Sequence, residues 1–247
     1  PEELKEETLL SHLVELRSRL LKAGSCILVL FLCMAPFSDF IFSSVALPLM
    51  RQLPEGSSMI ATQVASPFLT PFKTTMFAAL FLSMPVVLYQ VWSFAAPGLY
   101  YKEKRFAVPL LISSIALFYL GTVFAYVVVF PIVFAFFTSA APTGVAVMTD
   151  ITSYLDFVLV LFFAFGVAFE VPIATVILVW SGLTTVETLA KNRAYVFLGA
   201  FVIGMLVTPP DIISQTLLAV PVYLLYECGI LLARTLSKQK EALTKND

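Results

Sequence analysis

The chain has 247 residues, of which 60% are hydrophobic and 13% charged, against roughly 45–50% apolar and about 25% charged in an ordinary soluble domain. With a mean hydropathy of +0.94 and 23 Phe, the apolar surplus must face a bilayer, which excludes a soluble enzyme, a nucleic-acid binder and a disordered linker. The formal net charge of −1 supplies no overall field for an anionic partner, so only the placement of charge informs.

In chain order, an acidic lead-in (Glu2, Glu3, Glu6, Glu7, Glu15) precedes a first apolar run, about Ala23 to Phe42. With those acids before it and no small-residue cleavage motif after it, this run reads as a span and not as a cleaved signal peptide. Further runs follow at about Phe72 to Phe94, Val108 to Phe137, Leu155 to Trp180, Ala194 to Val207 and Ile212 to Ala233. The fifth has 14 residues before Thr208-Pro209-Pro210-Asp211 stops it, which at ~1.5 Å per residue is ~21 Å against a hydrocarbon core of ~30 Å. It spans only where the bilayer thins or neighbours screen its ends. The connection from about Ser43 to Pro71 holds Pro48, Pro54, Pro67 and Pro71 and predicts a structured external cap. Inside the runs, Pro85, Pro109, Pro131, Pro172 and Pro221 each delete a helix hydrogen bond. The expectation is an all-α membrane protein: six proline-kinked spans in a curved bundle, forming one polytopic domain over 1–247 with a flexible tail at 234–247.

Basic residues orient it. The lead-in (Lys5, Arg17, Arg19, Lys22), the second-to-third connection (Lys102, Lys104, Arg105), the fourth-to-fifth (Lys191, Arg193) and the tail (Arg234, Lys238, Lys240, Lys245) share one side. They make 13 of the 15 Lys and Arg, leaving Arg51 and Lys73 opposite. The positive-inside rule places both termini in the cytoplasm.

Catalytic constellations are missing. The chain has no HExxH, GxxxxGK[ST], GxSxG or GxGxxG. Its one histidine, His12, has no cysteine or second histidine beside it, so neither a metal site nor a cofactor is expected. Cys26, Cys33 and Cys228 lie in apolar runs without CxxC spacing and read as buried small hydrophobes.

Few polar residues remain. Glu170, in Phe169-Glu170-Val171-Pro172, sits near the middle of the fourth run, where an acid costs ~2.5–3.5 kcal/mol on insertion scales. Three readings stay open: a proton-titrating group, a polar point in a groove that receives a ligand, or a carboxyl hydrogen-bonded to a neighbouring helix. A proton-coupled small-solute transporter using Glu170 is the rival functional reading, and an intramembrane hydrolase a weaker one. Glu15, in His12-Leu13-Val14-Glu15-Leu16-Arg17-Ser18-Arg19-Leu20, is placed for an i,i+4 pair with Arg19, and Glu103 for neutralising the bases around it. Together, the two carboxylates on one rim beside aromatics suit a ligand bearing guanidinium forks. Asp211 directly precedes the sixth run and reads as its N-cap. Glu227 is expected to reach the interface or to find a helix partner, while Lys73, Asp150 and Asp156 are expected to be merely solvated at external edges.

The lead-in from His12 to Leu20, Pro48 in the first loop, the stretch from Phe94 to Glu103, Phe169-Glu170-Val171-Pro172 and Thr208-Pro209-Pro210-Asp211 occur in an order and spacing that resemble the TatC family. These are receptor subunits of the bacterial twin-arginine protein translocase, and the resemblance runs from about Ser11 to Arg234. It implies a non-enzymatic receptor in the inner membrane, without cofactor. Such a receptor moves folded proteins by the proton-motive force together with single-span TatA- and TatB-type subunits and further copies of itself. It implies that Glu15 and Glu103 bind the twin arginines of signal peptides and that Arg17, Phe94, Pro97, Leu99, Tyr100 and Arg105 shape that patch. Glu170 would be the polar point of a concave, glove-shaped face, and Pro48 would brace the cap. Met205, Leu206, Asp211 and Gln215 would lie where partner helices dock.

Overall fold

A computed structural model describes residues 2–50, 59–95, 104–139, 148–207 and 211–244, with backbone alone for 2–12, 48–50, 95, 104–107, 138 and 237–244. Glu103, Pro97, Leu99 and Tyr100 lie outside the described residues, as do the side chains of Pro48 and Arg105. Among the described residues the regular structure is helical: α1 (Glu2–Met34), α2 (Ser38–Met50), α3 (Ser66–Ala95), α4 (Lys104–Phe124), α5 (Phe130–Ser139), α6 (Ile151–Ala168), α7 (Val171–Trp180), α8 (Val186–Lys191), α9 (Arg193–Val207) and α10 (Ile212–Thr244). Five helical stretches are long and apolar enough to cross a membrane: Leu13–Leu47, Ser66–Phe94, Val108–Phe137, Ile151–Trp180 and Ile212–Leu236. Helix α9 is apolar but shorter, as the sequence predicts. Helix α1 starts well before Ala23 and α10 runs on past Ala233 to Thr244, both longer than the apolar runs alone suggest.

Prolines act in three ways. Pro85 in α3 and Pro221 in α10 sit inside uninterrupted helices. Ahead of Pro131 the helix widens into a π turn, Ala125–Val129, and Pro36 lies in a 3-10 turn, Ala35–Phe37, between α1 and α2. Both are local ways of absorbing the missing donor and the ring's clash with an earlier carbonyl. Pro172 goes further: its ring is incompatible with a helical carbonyl at Ala168, so α6 ends there and α7 restarts with Pro172 in its first turn. The fourth span is therefore two helices, not the single kinked one expected.

The chain forms two compact units. Unit 1 comprises 1–107 and 147–156. In it α1 and α2 both pack on α3, and α1 runs antiparallel to α3: Arg19, midway along α1, reaches Gln90 near the end of α3, while Phe31, near the end of α1, shares a groove with Leu69 and Phe72 from the first turns of α3. Its second chain segment is tied on by hydrogen bonds from Ile60 N–H to Thr149 O (3.1 Å) and Ile151 N–H to Ile60 O (2.9 Å). Asp150 organises the tie. Its carboxylate accepts from Thr62 N–H (3.0 Å), Thr62 Oγ1 (2.7 Å), Thr152 N–H (3.0 Å) and Ser153 N–H (2.9 Å), joining the 60–62 stretch to the start of α6.

Unit 2 comprises 108–146 and 157–247. One cluster, Ala125, Val129, Val133, Leu161, Phe165, Phe169 and Leu218, and a second, Val176, Val186, Tyr226, Ile230 and Ala233, form its core. Without a hydrophobic force between helices in lipid, close approach at small residues supplies the packing. Gly121 of α4 lies against the Phe165 carbonyl and the Phe169 ring, Gly166 of α6 against the Phe118 ring, and Gly229 of α10 against Thr175 and Pro172 of α7. Cys33 and Cys228 are exposed on their helices and Cys26 half-buried, so the cysteines do not serve as the core residues predicted.

A methyl at Gly121 or Gly166 would overlap backbone or ring atoms, whereas one at Gly199 meets nothing within 4 Å. Gly121→Ala and Gly166→Ala should each destabilise by about 1–3 kcal/mol, and Gly199→Ala should be neutral or stabilising by up to about 1 kcal/mol. Thermal unfolding in detergent checks all three.

Candidate functional site

In unit 1 the residues of interest converge where the middle of α1 meets the last turns of α3. Arg19 Nε and Nη2 donate to Glu15 Oε1 at 2.9 and 2.6 Å, and Arg19 Nη1 donates to Gln90 Oε1 at 3.4 Å. Glu15 keeps 39% of its side-chain surface while Arg19 keeps 16%, so the arginine is laid down between the helices and the carboxylate faces out. Both bonds end on Oε1; among the described residues, no hydrogen bond reaches Glu15 Oε2. Phe94 is one helical turn beyond Gln90 and Glu15 one turn before Arg19. The antiparallel pairing therefore brings Glu15 and Phe94 to one level. Arg17 is exposed nearby on α1. This assembles Glu15, Arg17 and Phe94 from the predicted patch, together with Arg19 and Gln90, which the sequence did not single out as site groups.

In unit 2, Glu170 occupies the residue before α7, at the break between α6 and α7. Its side chain makes no capping bond. It turns instead to α4, where the Ser114 hydroxyl donates to Oε2. Ser114 is fully buried and Glu170 is 8% exposed, so the carboxyl is hydrogen-bonded to a neighbouring helix. The placement follows from Pro172, which stops α6 and so ends the run of side chains that would carry residue 170 onward along the same stripe. Met205 and Leu206 are 54% and 78% exposed on α9. Gly204 lies over Gln215, so α9 and α10 come close there. Asp211 caps α10 as predicted, accepting from Ser214 N–H at 2.7 Å.

One expectation needs correction. Asp150, Asp156 and Lys73 are not merely solvated: Asp150 is the tie already described, and Lys73 is ion-paired with Asp156. Of the two readings for Glu227, the structure has the helix partner: it takes Arg193 in a two-point grip, Nε to Oε1 at 2.7 Å and Nη2 to Oε2 at 2.8 Å, fastening the start of α9 to α10. Neither partnership shows in local spacing, because Thr62 and Asp150 are 88 positions apart and Arg193 and Glu227 are 34 apart. Among the described residues no cluster of three or more His, Cys, Asp or Glu is placed to hold a metal ion.

The Asp150 carboxyl is held well below its ordinary range, first by the Ser153 N–H and then by the hydroxyl and N–H of Thr62. A lowered folded-state value stabilises above the unfolded pKa, roughly 3.9, and that stabilisation is lost as pH falls toward the folded value. Asp150→Asn should therefore melt at a lower temperature than the parent at pH 7. The gap should stay constant down to about pH 5 and shrink below about pH 4, as read by melting curves across pH.

The fold is that of a multi-pass α-helical membrane protein, with a half-exposed carboxylate already engaged by a guanidinium beside the last turns of α3. The family model of the Sec-independent protein translocase protein TatC matches residues 11–221. A TatC protein from Azotobacter chroococcum is 56% identical over 241 residues, covering 98% of this chain and 94% of its own length. The Escherichia coli K12 TatC protein is 57% identical over 228 residues, covering 92% and 88%. A crystal structure of a twin-arginine translocase receptor, TatC, superposes with a TM-score of 0.82 at 37% identity, covering 92% of this chain and 99% of that one. The chain belongs to the TatC family and serves Sec-independent protein translocation.

Proposed function

We propose that this chain is the receptor and core subunit of a twin-arginine translocase. It binds the paired arginines of signal peptides on folded precursors and scaffolds their proton-motive-force-driven passage across a bacterial inner membrane. In this reading it is not an enzyme and needs no cofactor. It crosses the membrane six times as a single domain, α9 making the short fifth crossing, and both termini lie in the cytoplasm with 13 of the 15 Lys and Arg. Single-span TatA- and TatB-type subunits seat along Met205, Leu206, Asp211 and Gln215, and further copies of the chain complete the assembly.

The observation that carries the reading is Glu15. Its carboxylate stands half exposed at the rim with one guanidinium already on Oε1, so the chemistry of the site is guanidinium recognition. An incoming arginine adds to Oε2 or displaces Arg19. Either exchange is nearly neutral for one pair, since exposed ion pairs are worth about 0.2–1 kcal/mol. A second carboxylate, Glu103, makes the recognition selective: with one arginine held, the other binds at high effective concentration. Lysine lacks the planar fork and substitutes poorly. Pro48, Pro97, Leu99, Tyr100, Arg17, Phe94 and Arg105 keep the supporting roles that the family resemblance assigns them.

Titrating a fluorescent twin-arginine signal peptide into the purified chain tests this. Glu15→Ala and Glu103→Ala should each weaken binding about two- to fivefold, the loss of one partly exposed ion pair, and a twin-lysine peptide should bind weakly to the parent. Unchanged affinity in both variants overturns the assignment. For Glu170, transport assays should find Glu170→Gln active, because an amide oxygen still accepts from Ser114, and Glu170→Ala impaired.

A further inference from the structure

At the Asp150 end of unit 1, a groove of about 460 Å³ opens beside α3, within the range of roughly 300–1,000 Å³ typical of small-ligand sites. Its wall is apolar, with Phe31 from α1 and Leu69, Phe72 and Met76 from α3. At its rim stands Lys73, ion-paired with Asp156, and each of these two side chains keeps nearly half its surface, 45% and 43%. Lys73 is seven residues into the 30-residue α3, about 10 Å along a helix of about 45 Å, which in a spanning helix centred on a ~30 Å core is close to the boundary between headgroups and hydrocarbon, within reach of a snorkelling lysine.

We propose that this groove binds one aminophospholipid: the phosphate on Lys73, the ammonium on Asp156, and an acyl chain along Phe31, Leu69, Phe72 and Met76. Three observations favour that occupant. The rim carries one positive and one negative group side by side, which complements a headgroup carrying both charges. Binding would exchange one ion pair for two and strand no charge. The hydroxyls on the floor are committed to one another, Thr152 Oγ1 donating to Ser66 Oγ at 2.8 Å and sharing a hydrogen bond with Thr70 Oγ1 at 3.2 Å. A peptide laid in the groove would need partners for its backbone at every residue, whereas a lipid tail needs none. The site is separate from the Glu15 rim and does not depend on the signal-peptide reading.

Native mass spectrometry of the purified chain, offered equal amounts of phosphatidylethanolamine and phosphatidylglycerol, tests the proposal. The parent should retain the aminophospholipid in about threefold preference, the scale of one partly exposed ion pair. Asp156→Asn removes the ammonium's partner while keeping Lys73, and should bring the ratio to one or reverse it. The charge-swapped double variant Lys73→Asp, Asp156→Lys should restore the preference. Met76→Trp fills the groove with the ion pair intact and should lose the bound lipid of either headgroup. A parent ratio of one, a preference unmoved by Asp156→Asn, or undiminished lipid on Met76→Trp overturns the proposal. So does displacement of the lipid by a twin-arginine signal peptide at stoichiometric amounts, which would make the groove a peptide site.

Discussion

In hydrocarbon, a backbone group that loses its helix partner has no water to replace it, and this constraint organises the molecule. Wherever a proline removes a hydrogen bond, the chain must absorb the defect locally or end the helix beside something polar. Pro36 and the stretch before Pro131 take the first course, with 3-10 and π turns. Pro172 takes the second. Its break leaves residue 170 at a helix start, and a buried carboxyl at such a break, bonded to a hydroxyl from another helix, is far easier to tolerate than one on an intact helix facing lipid. The costly acid and the breaking proline are thus parts of one device.

The charged groups obey the same rule: Arg193 is paired with Glu227, Lys73 with Asp156 and Arg19 with Glu15. The short α9 is fastened at one end by Arg193 to Glu227 and closed against Gln215 near the other by Gly204, which holds a helix too short to be fixed by the bilayer alone. Its exposed Met205 and Leu206 are then presented on a braced element.

Much of this was legible in the residues. Apolar runs located the long helices, and Asp211 announced its cap because an N-cap is a relation between neighbours in sequence. The i,i+4 pairing of Glu15 and Arg19 was equally local. The prolines informed less: Pro131 and Pro172 lie at helix irregularities, whereas Pro85, Pro109 and Pro221 sit inside continuous helices. What escaped was relational across long separations. Nothing near Asp150 reveals that Thr62 will meet it, nor does the sequence around Ser114 point to Glu170. Helix ends escaped too, since α1 and α10 continue through polar residues once begun, helix propagation being easier than initiation.

The tie between the 60–62 stretch and Asp150 also sets an order of events. Unit 1 draws its last piece, 147–156, from beyond the intervening segment 108–146. As the chain emerges from synthesis, its first three helices are therefore in place before the residues that close the unit exist. Closure is a non-local step, opposed by the entropy of gathering a loop of nearly ninety residues, although the two helical stretches inserted in between shorten the effective search. Completion of unit 1 therefore waits on the synthesis of 108–146, which belongs to unit 2.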